Sequence, residues 1–215
     1  MLGRSPEEAP ATFEEVSKMR NALLAMLLSI TFLLLACGSP PPVVNDEDFP
    51  AMGRAEATLS VDGSVEGYPE RPAEVMGMEV HMAHDGDSLY VHLRADIDGW
   101  VAVGFNARGG GMDGANMILG YLEGEAPVAR DDVGRGRTHS EATTASLEEY
   151  VLLSHESERI LEFSYPLAFP EDVGYRLERV VPGETYTLLV AYHEESDDVG
   201  RRHSHFATLD FVVVP

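Results

Sequence analysis

The chain has 215 residues, 44% apolar and 24% charged, which is the length and composition of a globular domain with a sizeable core. Its 15 basic and 37 acidic residues give a formal net charge of −22, so nucleic acids and anionic membrane surfaces are poor partners. The single cysteine excludes a disulfide scaffold and any zinc site that needs two thiolates.

The first predicted element is an apolar run, ALLAMLLSITFLLLA at residues 22–36, which follows Lys18 and Arg20. A run of this length is short for a membrane span, which takes about 20 residues, but it is typical of a signal-peptide core. It leads into Leu34-Leu35-Ala36-Cys37, which resembles the bacterial lipobox. That resemblance implies that Cys37 carries a diacylglycerol and becomes the mature N-terminus. The alternative is a buried helix with an incidental cysteine.

Residues 1–36 are therefore predicted to be a lipoprotein signal peptide. Glutamates within the first 18 residues do not suit the basic start of such a signal, so we predict that translation begins at Met19. Gly38 follows the cysteine, and by family resemblance this favours the outer membrane or outer surface of the bacterial cell envelope. Residues 37–54 are rich in proline and then acidic, which predicts a tether. The domain is predicted to span 55–215.

From residue 55 onwards apolar and polar residues alternate with a period of two, which predicts β-strands. The strand candidates are 89–94, 101–106, 116–121, 150–155, 160–165, 186–192 and 207–214. Asp-Gly, Pro-Gly and Gly-Gly turns separate them, and no segment past 55 shows helical periodicity beyond a turn or two. This pattern predicts an all-β fold, a single antiparallel β-sandwich of the immunoglobulin-like type.

Eight histidines are the first candidates for a site. His92 and His155 fall on polar positions of predicted strands, so we expect surface residues. His81 and His84 lie three apart on a predicted strand and point to opposite faces, which argues against a joint site.

His203 and His205 lie two apart near the start of the last strand and share a face if that strand has begun. Such a pair can bind zinc or copper, although no third ligand is evident. Met112 lies in an otherwise polar, glycine-rich loop, Gly109-Gly-Gly-Met112-Asp-Gly-Ala-Asn-Met117, whose glycines allow close approach to a flat ligand. Met117 is predicted to be a core residue.

No nucleotide-binding, nucleophile-elbow, HExxH or CxxC motif occurs in the sequence. No catalytic residue is therefore predicted, and the chain is not expected to be an enzyme.

Two strings resemble the DOMON domain: Asp98-Gly-Trp-Val-Ala-Val-Gly-Phe105 with the following 111–121, and 188–198 with the following Arg202-His203-Ser204. The opening at 59–68 resembles the entry of bacterial members, and the resemblance covers roughly 55–214. It implies a β-sandwich. In the haem-binding branch, which includes the cytochrome domain of cellobiose dehydrogenase, it also implies a noncovalent b-type haem held between a methionine and a histidine.

By this resemblance Met112 and His203 are the haem iron ligands, with His205 left open as the alternative histidine. A haem with both axial positions filled by Met and His has a raised reduction potential and no open site, so it would transfer electrons.

Three arginines flank the ligand loops: Arg108, Arg201 and Arg202. We expect them either to pair with haem propionates through charge-assisted bonds or only to offset the acidic surface.

A second hypothesis is a haem-free DOMON domain that binds a carbohydrate or acts as a surface interaction module. The only tryptophan, Trp100, could serve a sugar site but fits the core equally well. The expected partners are the membrane through a lipid on Cys37, a redox protein with a basic face, or a sugar, and not nucleic acid.

Overall fold

The computed structural model describes residues 50–55, 58–69, 72–105, 111–143, 147–167, 181 and 183–215. Cys37, the predicted signal peptide, most of the predicted tether and Arg108 lie outside the described residues. The described part forms twelve strands and no helix, and thus no helix long and apolar enough to cross a membrane.

The strands are β1 (Ala51–Arg54), β2 (Ala73–Val75), β3 (Met78–His84), β4 (Ser88–Ala95), β5 (Val101–Phe105), β6 (Asn116–Glu123), β7 (Ala126–Arg135), β8 (Thr138–Glu141), β9 (Glu149–His155), β10 (Glu158–Pro166), β11 (Thr185–Tyr192) and β12 (His205–Val213).

The strands follow one continuous order, β8-β7-β6-β5-β11-β12-β1-β3-β4-β10-β9, with β2 paired to β3. β1 joins two halves, one formed by β8-β7-β6-β5-β11-β12 and the other by β3-β4-β10-β9 with β2. It pairs in parallel with β12 at Ala51 and with β3 at Gly53. The other described strand pairs are antiparallel. The predicted all-β sandwich is confirmed, and β1 gives the sheet its mixed character.

The main core lies between the two halves. Side chains of β5, β6, β11 and β12 meet those of β3, β4 and β10 in one buried apolar cluster. The ring of Phe105 on β5 lies 6.4 Å from that of Phe163 and 6.3 Å from that of Tyr165, both on β10. Burying a side chain such as Phe163 stabilises the fold by roughly 1.5–3 kcal/mol.

The half formed by β5, β6 and β11 is apolar on both faces. On β11, Leu188 and Val190 belong to the main core, whereas Leu189 and Ala191 point to the outer face, as a period of two requires. The outer face of an antiparallel sheet is commonly polar and solvated. Here it carries a second buried cluster made of Trp100, Ala102, Ala115, Met117, Leu119, Leu189 and Ala191.

Candidate functional site

A cavity of about 900 Å³ opens over this outer face, and we call it the outer-face pocket. Its floor consists of Trp100, Ala102, Gly104, Met117, Leu119, Leu189 and Ala191. Alanine or glycine at three of these positions leaves room above the sheet for a flat ligand. The volume falls within the range of small-molecule and cofactor pockets.

Met112 and His203 both line the outer-face pocket, although they lie far apart in the sequence. Met112 is half-buried and packs against the outer apolar cluster. His205 does not line the pocket: it is exposed, its Nε2 lies 3.0 Å from Glu194 Oε1, and its ring stacks on Tyr192 at 4.8 Å. Of the two histidines left open by the sequence, the structure places His203 in the pocket.

The loop of residues 111–115, called the Met112 loop, is held against β7 by backbone hydrogen bonds. The Gly114 N–H donates to the Gly134 carbonyl at 3.0 Å, and the Gly134 N–H donates to the Ala115 carbonyl at 2.8 Å. The approach is so close that a Cβ on Gly134 would lie 1.8 Å from the Met112 carbonyl oxygen. Gly134 therefore sets the position of Met112.

The loop of residues 193–204, called the His203 loop, is closed at both ends. The His193 N–H donates to the Trp100 carbonyl at 3.0 Å, and the Ser204 N–H donates to the Tyr192 carbonyl at 2.8 Å. A Cβ on Gly99 would lie 2.0 Å from the His193 carbonyl oxygen, so only glycine allows this contact.

A buried ion pair fixes the middle of the His203 loop. Arg159 on β10 has a side chain only 1% exposed, and its Nη1 lies 3.1 Å from Asp197 Oδ1. Its other amino group donates to the Asp98 carbonyl. Asp197 also accepts a hydrogen bond from the Leu122 N–H at 2.9 Å. Three separate elements thus meet at one carboxylate six residues before His203.

Replacing Asp197 with alanine is expected to lower the free energy of unfolding by roughly 3 kcal/mol, because it leaves Arg159 charged and buried without its partner. We take the low end of the range for buried pairs because the Asp197 side chain is 26% exposed. The matched control is Glu158→Gln, which weakens the neighbouring pair with Arg94, whose side chains are 33% and 42% exposed, and should change the same quantity by less than about 1 kcal/mol. Urea unfolding measures both, and equal effects would refute the anchoring role of Asp197.

The wall of the outer-face pocket is basic. Arg130, Arg137, Arg201, Arg202, His139 and His203 line it, and no aspartate or glutamate is among its described lining residues. For a chain with a net charge of −22 this is a local reversal of sign. Arg202 is exposed at the pocket, and Arg201 lies 3.6 Å from Asp198. The wall favours a ligand that carries negative charge.

The electrostatics at His203 keep its imidazole neutral. Burial, and then the nearby Arg202 charge, lower the pKa of His203. Within the described residues none of the hydrogen bonds uses either of its ring nitrogens, and its ring lies 5.4 Å from that of Phe206. A neutral imidazole with an unused nitrogen is the form that binds a metal.

No group of three or more His, Cys, Asp or Glu side chains in the described part of the chain could hold a metal ion. A pair of axial ligands does not need such a group, because the porphyrin supplies the other donors to a haem iron. A thioether and an imidazole facing one apolar cavity with a cationic wall are residues that fit a b-type haem.

The sequence analysis missed one part of the pocket, the β7–β8 hairpin. On it the carboxylate of Asp132 is fully buried and lies 2.6 and 2.7 Å from two nitrogens of Arg130 and 2.5 Å from His139 Nδ1. Burial would raise the pKa of Asp132, but the hydrogen bonds from His139 and Arg130 outweigh it, and the net shift is downward. Arg130 and His139 both line the pocket.

The structure corrects the prediction for His92, which is only 2% exposed. The rings of Tyr68, His81 and His92 lie 5.8–6.1 Å apart, and the Tyr68 hydroxyl donates to Glu162 Oε1 at 2.9 Å. Burial raises the pKa of Glu162. The segment 58–69 covers this face of the sheet, so polar residues that look surface-facing in a strand pattern are buried. None of these residues lines the outer-face pocket.

No protein-family model and no curated protein matches the chain. One similar solved structure is the cytochrome b domain of pyranose dehydrogenase from Coprinopsis cinerea, at 12% identity and a TM-score of 0.46, covering 62% of this chain and 75% of that one. Another is a family 9 carbohydrate-binding module from Caldicellulosiruptor kristjanssonii in complex with glucose, at 10% identity and a TM-score of 0.36, covering 74% of this chain and 84% of that one.

Proposed function

We propose that this domain is a DOMON-type module that binds b-type haem in the outer-face pocket and transfers electrons. The observation that carries the proposal is that Met112 and His203 line one cavity of about 900 Å³ with an apolar floor and a basic wall. These are the two side chains that the DOMON resemblance assigns to the iron.

The two proposed ligands would contribute differently to haem binding. His203 would hold the iron through its imidazole, the stronger ligand, and Met112 through its thioether, a soft ligand that would favour the reduced form. Haem bound in this way supplies one-electron chemistry. With both ligands supplied by the protein, the group would transfer electrons rather than activate oxygen. The small residues Ala102 and Gly104 in the floor would give a flat ligand an apolar surface to lie on.

Charge supports both cofactor and partner binding in this proposal. Arg202, with Arg137 and Arg201, would face the propionates. The chain has a net charge of −22, so its outer surface would attract a redox partner with a basic face. The association rate with such a partner is expected to fall as salt screens the attraction.

We also propose that a lipid on Cys37 anchors the domain in the bacterial cell envelope. The lipobox resemblance at Leu34-Leu35-Ala36-Cys37 supports this proposal. Substituting Cys37→Ser in the full precursor should abolish lipid attachment, and either release the protein from membranes or block precursor processing. Cell fractionation with mass analysis is the measurement. Normal cleavage and unchanged membrane recovery in the Cys37→Ser protein would contradict the anchor.

Titration of the purified full chain with haem tests the proposed function. Saturable binding of one haem per chain, with a low-spin absorption spectrum, is the expected result. A protein that leaves haem unbound at micromolar concentrations would refute the proposal.

A carbohydrate is the second candidate ligand of the same pocket. Phe206, 38% exposed, and the polar side chains of Thr138 and His139 line it, and such a mixture of aromatic and hydrogen-bonding groups also suits a sugar. Calorimetric titration with glucose separates the two candidates. Sugar binding by a chain that does not bind haem would favour the carbohydrate.

A further inference from the structure

Two histidines, His139 and His203, are among the described lining residues of the outer-face pocket, and only His139 is hydrogen-bonded to a carboxylate. Its Nδ1 lies 2.5 Å from Oδ2 of Asp132, a residue whose side chain is fully buried. That bond fixes the ring orientation and leaves Nε2 as the nitrogen available to a ligand. The side chain is 20% exposed and lines the pocket.

The charge of Asp132 is already balanced before His139 is counted. Arg130 makes two hydrogen bonds to it, at 2.6 and 2.7 Å, in the two-pronged geometry of a strong arginine–carboxylate pair. The bond from His139 is therefore additional to a carboxylate that Arg130 already pairs. The other charged groups on and around the hairpin are Asp131, Arg135, Arg137, Glu141 and Asp113. Arg137 also lines the pocket, and the Asp113 Oδ1 accepts the Gly136 N–H at 2.8 Å.

We propose that His139 is the acid-recognising side chain of the outer-face pocket, binding a carboxylate of the ligand through Nε2 while Asp132 holds the ring. The proposal rests on the proposed function, because it gives that ligand an acidic edge at the β7–β8 wall. Because Nδ1 is already bonded to Asp132, a ligand carboxylate would meet the ring at Nε2, the nitrogen on its other side. The absence of acidic side chains among the described lining residues leaves this interaction unopposed.

Protoporphyrin IX and its dimethyl ester are the probes that isolate this contact. Neither contains iron, so ligation by Met112 and His203 contributes nothing to their binding, and they differ only in whether the two propionates are acids or esters. Fluorescence titration of the full chain should show at least tenfold tighter binding of the diacid. Equal affinity for the two probes, or no binding of the diacid, would overturn the proposal.

Two substitutions at His139 test the roles of its two ring nitrogens separately. The side-chain amide of His139→Asn can occupy the place of Nδ1 and keep the bond to Asp132, but it leaves nothing at Nε2. We expect this variant to fold and to lose a measurable part of the preference for the diacid, while Arg137 and Arg202, which still line the pocket, retain the rest. His139→Gln places its amide near Nε2 and should keep more of that preference than His139→Asn. A folded His139→Asn protein with the wild-type ratio of affinities would contradict the assignment.

The matched control is His205→Asn, which alters a histidine that also lies beside a carboxylate, Glu194, but outside the pocket. Its ratio of diacid to ester affinity should equal that of the wild type. Failure of the proposed function can be distinguished from failure of this inference. If the wild-type protein prefers the diacid but gives no low-spin haem spectrum, iron ligation by Met112 and His203 is refuted, whereas the role of His139 is still supported.

Discussion

Substituting His203→Ala is expected to weaken haem binding by roughly a hundredfold or more, equivalent to about 2.8 kcal/mol. The change removes the stronger of the two proposed iron ligands from the outer-face pocket and leaves only the Met112 thioether. Equilibrium titration with haem, together with the absorption spectrum of the bound form, measures the loss. Because His203 is half-buried at the pocket and makes no described hydrogen bond through its ring, the variant should keep its fold.

His205→Ala is the matched control for that substitution. His205 lies two residues away, at the first position of β12, and its ring contacts Tyr192 and Glu194 rather than the pocket. The variant should bind haem with wild-type affinity and spectrum. If His205→Ala loses haem and His203→Ala retains it, the ligand assignment made here is wrong.

Gly134→Ala is expected to displace Met112 although neither of the proposed iron ligands, Met112 and His203, is itself substituted. The new methyl group would stand 1.8 Å from the Met112 carbonyl oxygen and 2.7 Å from its carbonyl carbon, and both are backbone atoms that cannot rotate away. Relieving this clash means breaking the hydrogen bonds between Gly134 and the Met112 loop. We expect a loss of roughly 2–3 kcal/mol in the free energy of unfolding.

In the haem-bound protein, Gly134→Ala should shift the iron from low-spin to high-spin, because Met112 no longer reaches it. Gly111→Ala serves as the stability control in the same loop, since among the described residues no heavy atom lies within 4 Å of a Cβ at that position and its φ is not positive. That variant should retain wild-type stability. Equal behaviour of the two alanine variants would show that Gly134 does not position the methionine.

The fold could be predicted from the sequence where the strands alternate cleanly. Val101–Phe105 and Thr185–Tyr192 carry apolar residues at every second position, and both are strands in the structure. β7 escaped prediction because its sequence, APVARDDVGR, is charged and ends in a Gly-containing turn. Asp132 on this strand is buried through hydrogen bonds to Arg130 and His139 within the same hairpin, which periodicity does not reveal. His92 was misjudged for a related reason, since the segment that covers it is remote in sequence.

The site was only partly visible in the sequence. The DOMON resemblance selected Met112 and His203, and the structure places both at one pocket. Asp197 and Gly134, which hold the two loops in place, act through contacts with Arg159 and Met112 that no local pattern encodes. The sequence does not distinguish His139 from the other seven histidines, because only the pairing of β8 with β7 places it beside Asp132.

The spin state of haem bound to the wild-type chain, compared with haem bound to Met112→Ala, tests the central claim most directly. The account predicts a low-spin, six-coordinate wild type, and a Met112→Ala protein that still binds haem through His203 but is high-spin or water-ligated, with a lower midpoint potential. Absorption spectra recorded during a redox titration give both quantities in one experiment. A wild type that is high-spin, or a Met112→Ala protein with the wild-type spectrum and potential, would contradict ligation by Met112 and His203.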